Sequence, residues 1–129
     1  MRPHYLLATL LTATVFAFPA MAQEAFHGRV SFVEDDGLIR GAEDDDWSYA
    51  TINSLVLPGD TIWADNEGVL ELEFTGGTFV RLADASKLEV TSIPPSASFR
   101  GWNGSFYVQR IRRSTGHVAF QTPAGALNV

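Results

Sequence analysis

The sequence predicts one small all-β domain, rich in antiparallel pairs, built as a sandwich, a barrel or a short β-solenoid and preceded by an N-terminal signal peptide. Three observations carry this. Apolar and polar residues alternate with a period of two in several short runs, as strands with one face in a core require. Turn signals recur about every 8 to 12 residues. Beyond the leader, no window longer than a few residues carries the 3.6 period of an amphipathic helix.

The leader comes first. Arg2 gives residues 1–4 a positive charge, residues 5–18 are mostly apolar, and Ala20 and Ala22 are the small residues that a signal peptidase reads. The apolar run is 14 residues, short of the roughly 20 needed to span a bilayer, so cleavage after Ala22 is expected. Removing 22 of the 129 residues leaves 107, enough for one domain over residues 23–129. Loss of Arg2 takes the formal charge from −6 to −7, which disfavours nucleic acid and anionic lipid as partners. No later stretch is apolar enough for stable membrane insertion. The chain has no cysteine, so packing and sheet hydrogen bonds must hold it without disulfides.

Residues 29–33 predict a strand with Val30 and Phe32 inward. Asp36-Gly37 predicts a hairpin turn, with Leu38-Ile39-Arg40 returning beside the first strand. Residues 41–46, dominated by Glu43, Asp44, Asp45 and Asp46, predict a solvated loop, and residues 47–51 restart the sheet. Pro58-Gly59-Asp60 turns the chain into Thr61-Ile62-Trp63.

The clearest signal follows. Leu70, Leu72 and Phe74 alternate with Glu71 and Glu73, the chain turns at Gly76-Gly77, and residues 78–82 return. The diglycine supplies the positive φ angles of a tight turn, so these runs should form a hairpin. Residues 87–91 add a third alternating run. Pro94 and Pro95 remove two backbone donors and predict a loop or edge, with residues 99–104 irregular. Residues 105–112 predict a strand with Phe106, Val108 and Arg110 on one face. Residues 116–122 predict another with Val118 and Phe120 inward. Leu127-Asn128-Val129 resembles half a strand, and a truncated domain is expected.

The order Gly59-Asp60, residues 70–82, residues 87–91, Gly104 to Val108 and Thr122-Pro123-Ala124-Gly125 resembles the FecR domain family of exported bacterial proteins. The resemblance covers nearly all of residues 28–129 and is made of turn and core positions. It implies a non-enzymatic periplasmic β domain that senses a signal or binds another envelope protein. In the best-known members a cytoplasmic segment and a transmembrane helix precede the domain, which passes a signal from an outer-membrane transporter to a sigma factor. This sequence departs by opening on a cleavable leader and by lacking the V-x-G-T strand that usually follows the TP-x-G segment.

No catalytic set emerges. His27 and His117 lie in the leader of the domain and at a strand end. Ser105 and Ser114 have no G-x-S-x-G elbow. Glu71 and Glu73 are expected on the wet face of a strand, where they keep a sheet soluble, so a glycosidase reading is not adopted. The runs 34–36 and 43–46 match no calcium motif, and no metal or cofactor is implied. For recognition, Trp102 between Gly101 and Asn103 is the candidate exposed aromatic, whereas Trp47 and Trp63 are expected to pack in the core. Arg110, Arg112 and Arg113 form the one basic cluster, which either meets an acidic partner or, the preferred reading, guards an edge strand. A periplasmic or secreted domain with an envelope protein partner is the expectation; a cell-envelope structural or carbohydrate-binding module is the second.

Overall fold

Strand alternation is realised as two β-sheets packed face to face. The computed structural model describes Thr14 and residues 27–111 and 116–128; the leader's cleavage signals, Arg112, Arg113 and Ser114 lie outside the described residues. Twelve strands follow in order: β1 (Gly28–Glu34), β2 (Gly37–Arg40), β3 (Ser48–Tyr49), β4 (Leu55–Val56), β5 (Thr61–Ala64), β6 (Val69–Phe74), β7 (Thr78–Ala83), β8 (Lys87–Ser92), β9 (Ser96–Trp102), β10 (Ser105–Arg110), β11 (His117–Thr122) and β12 (Gly125–Asn128). Five of them form one sheet in the order β10-β7-β6-β1-β4, and seven form the other in the order β12-β11-β9-β8-β5-β2-β3. All pairs are antiparallel except β9 with β11. No helix among the described residues is long and apolar enough to cross a membrane.

The hairpin at the centre of the five-stranded sheet matches the sequence reading. Leu72 pairs with Val80 in β7 and with Val30 in β1, and Leu70, Leu72, Phe74, Val80 and Leu82 are buried. Gly76 and Gly77 hold φ of 97° and 90°, the left-handed region in which a side chain would be strained. On the outer face each carboxylate of β6 meets its own arginine: Glu71 bonds Arg81 at 2.9 Å and Glu73 pairs with Arg29. That arrangement puts both carboxylates on the outer face of the sheet, each in an ion pair.

The opposing sheet supplies Ile62, Ala64, Leu88, Val90, Ala97, Phe99, Val118 and Phe120 to the core. Aromatic contacts stitch the layers together. Phe74 of one sheet lies 5.2 Å from Phe99 of the other, and Phe106 lies 5.1 Å from Phe120 between ring centroids.

Three expectations change. Asp36-Gly37 makes no hairpin between β1 and β2, because the chain crosses there from one sheet to the other and β2 pairs with β5 and β3. Gly37 is required for a different reason, since a Cβ at that position would sit 2.6 Å from Leu70 Cδ1. Phe32 faces outward and is 41% exposed. A register shift between Val30 and Phe32 places Phe32 opposite Glu71, as the extra residue of a bulge does. Of residues 99–104 only Asn103 and Gly104 are irregular: β9 runs to Trp102 and buries Ala97, Phe99 and Gly101. The third alternating run, residues 87–91, falls in the other sheet from that of the hairpin. Asp84 and Ala85, with φ of 61° and 58°, redirect the chain, so β8 joins β5 and β9 in the second sheet.

The turn before β5 is fixed by a buried carboxylate. Asp60 Oδ2 accepts the Leu57 N–H at 2.8 Å. Burial raises the Asp60 pKa, the Leu57 hydrogen bond opposes the rise, and the nearby charge of Asp44 adds to it.

Candidate recognition surface

Outward side chains of the seven-stranded sheet fall into register across five strands. Tyr49 in β3 is opposite Leu38 in β2, Leu38 is opposite Trp63 in β5, Trp63 is opposite Lys87 in β8, and Lys87 is opposite Trp102 in β9. With neighbouring strands about 4.8 Å apart, the three aromatic positions are spaced by about 10 Å along a line perpendicular to the strands. Local sequence explains the orientation. Ile62 and Ala64 of β5 are buried, so Trp63 between them must point to solvent, and it is 42% exposed. Tyr49 is 71% exposed.

Trp47 joins the row from the loop before β3, meeting Trp63 edge to face with ring centroids 6.0 Å apart. The expectation that Trp47 and Trp63 pack in the core is therefore corrected: they pack on each other at the surface. Trp102 ends β9 instead of standing in a loop, and it is half-buried. Lys87 Nζ lies 5.2 Å from its ring centroid and the Arg100 guanidinium 6.0 Å.

A concavity of about 320 Å³ opens at the Tyr49–Trp63 end, lined by Leu38, Tyr49 and Trp63 and by the carboxylates Asp36 and Asp65. Two turns meet to build its acidic wall, because the Asp65 N–H donates to the Asp36 carbonyl at 3.1 Å. Gly68 allows this closeness; a Cβ there would lie 2.7 Å from the Asp36 carbonyl oxygen. At the other end, Arg100, Trp102, Gln121 and Pro123 border a shallower depression of about 370 Å³.

Arg110 sits elsewhere. It closes β10, an edge strand of the five-stranded sheet as expected, and its Nη2 donates to the Gly116 carbonyl at 2.8 Å. The structure thus does not gather Trp102 and Arg110 into one site. Among the described residues, no three His, Asp or Glu side chains converge as a metal site would require. Tyr49, Trp63, Asp36 and Asp65 are the residues that sequence reasoning missed. The phase of Ile62 with Ala64 was the signal for Trp63, outweighed by the usual burial of tryptophan.

No protein-family model, no curated protein and no solved structure matches the chain.

Proposed function

We propose that the chain is a non-enzymatic, exported FecR-like β domain that works in the periplasm as a sensing or protein-interaction module, with the outer face of its seven-stranded sheet as the recognition surface. One observation carries the reading: the ordered row Tyr49, Leu38, Trp63, Lys87 and Trp102. Cross-strand aromatic and cation–π contacts add only about 0.2 to 1 kcal/mol each to a sheet, whereas aromatic residues are the side chains enriched at protein interfaces. The resemblance in turn and strand order is what suggests the FecR-like identity and the envelope location.

The same row supports a second reading, a carbohydrate-binding or structural module of the cell envelope. Rings spaced regularly on a flat face offer stacking platforms for sugar rings. Site-specific photocrosslinking separates the two. A benzophenone side chain placed at position 87, between Trp63 and Trp102, should capture a discrete protein in the periplasmic fraction. The capture should be lost in Trp63→Ala and absent when the crosslinker is moved to position 81 on the other sheet. Equal capture from both positions, or none from position 87, would remove the protein-interaction reading.

A further inference from the structure

Several surface rings of this domain lie beside cations, whereas the rings of the Tyr49–Trp63 concavity lie beside carboxylates. Arg40 lies over Trp47 with its guanidinium 4.7 Å from the ring centroid. Lys87 and Arg100 flank Trp102 at 5.2 and 6.0 Å, and Arg81 lies 6.0 Å from Phe32. Trp63 and Tyr49, like Tyr107 on the other sheet, have no such cation among the described residues; what sets the first two apart is the company of carboxylates in one concavity. Beside them stand Asp36 and Asp65, and the ion pairs of the described residues involve neither carboxylate. The acidic wall continues into an adjoining depression bordered by Asp35 and Glu67.

Aromatic faces attract a cation through the ring quadrupole, and a carboxylate at the rim adds charge attraction. We propose that the Tyr49–Trp63 concavity receives a lysine or arginine side chain of a protein partner, held between the two rings and the carboxylates of Asp36 and Asp65. This rests on the reading of the outer face as a protein-recognition surface and adds the chemistry of the partner. The cavity suits one side chain: about 320 Å³ is at the small end of ligand sites, and its floor is the apolar Leu38. A basic side chain has an apolar stem to lie on that floor and a charged head for the acidic rim. The negative charge of the chain favours the encounter.

The test uses tripeptides of one design, Ac-Gly-Xaa-Gly-amide, in which Xaa is arginine, lysine or citrulline; citrulline keeps the shape of arginine without its charge. Each is titrated into the isotope-labelled protein while the Trp63 indole N–H and Tyr49 ring signals are followed by NMR. Saturable shifts are expected for the arginine and lysine peptides, with affinities on the order of millimolar, weakened on the order of fivefold by Asp36→Asn with Asp65→Asn and by raised salt. The citrulline peptide should bind on the order of fivefold more weakly or not at all. An equal response to citrulline would overturn the inference, as would no saturable response to either cation. Cellohexaose in place of the peptides provides the sugar arm, and shifts at Trp63 with that neutral ligand alone would also overturn it. The comparison among peptides uses the unaltered protein, so it holds whether or not the variants fold. Failure here with position-87 crosslinking intact would remove the cation and leave the interaction surface standing.

Discussion

Leu72→Ala tests the layer on which everything else rests. Leu72 is fully buried in the middle strand of the five-stranded sheet, between Val30 and Val80. Truncation removes three buried carbons and leaves a cavity that neighbours fixed by strand pairing cannot close, so the expected cost is about 3 to 5 kcal/mol. A domain of this size has about 5 to 15 kcal/mol in total. With a urea slope of about 1.5 kcal/mol/M, the midpoint should fall by about 2 M or more. Glu73→Lys, one residue along, points to the outer face, where Glu73 pairs with Arg29 and Arg29 also donates to Asn53 at 2.8 Å. Loss of a half-exposed ion pair and the approach of two cations should together cost about 1 kcal/mol. Because a one-residue slip exchanges the faces of a strand, a larger loss from Glu73→Lys than from Leu72→Ala would refute the register.

Two further outcomes follow from buried polar groups. Ser86 is fully buried and its Oγ has no hydrogen-bond partner among the described residues, so Ser86→Ala should leave stability unchanged or raise it by up to about 1 kcal/mol in urea melts; a loss of similar size would mean the hydroxyl is satisfied. Asp60 has a pKa raised above its ordinary value of 3.8, so the folded state holds that proton more tightly than the unfolded chain. Its contribution to stability is greatest below that value and is lost as pH rises through the window above it. Asp60→Asn does not titrate there, so its stability relative to the parent should improve between about pH 3 and about pH 7, and a relative decline would refute the burial of charge.

How far the sequence could be read depended on what each signal encodes. Period-two alternation encodes a face, and so Leu70, Leu72, Phe74, Val118 and Phe120 were legible as core. It does not encode which sheet a strand joins. Asp36-Gly37 has the composition of a hairpin turn, yet the glycine there answers to the approach of Leu70 from another strand, a contact that no local pattern reveals. The bulge before Phe32 likewise has no glycine to announce it. Residues 97, 99 and 101 do alternate inward, but small residues at two of the three positions weakened that signal. Trp102 was expected to stand exposed in a loop but closes β9 half-buried, while Tyr49 and Trp63 became a site only through the pairing of β2 with both of their strands.

That dependence links fold and function through one turn. The Gly59 N–H donates to the Val90 carbonyl at 2.7 Å, and the Val90 N–H donates to the Asp60 carbonyl at 2.9 Å. These bonds clamp the start of β5 to β8, while the Asp60 side chain holds the turn closed from within. From that clamp the ladder runs Thr61 to Glu89, Ile62 to Leu88 and Trp63 to Lys87, so the register set at Asp60 decides that Trp63 is outward and in line with Trp102. A slip of one residue would bury the ring and expose Ile62, dissolving the row. The buried carboxylate thus opposes stability through its desolvation while its hydrogen bond to Leu57 secures the turn that aligns the recognition face.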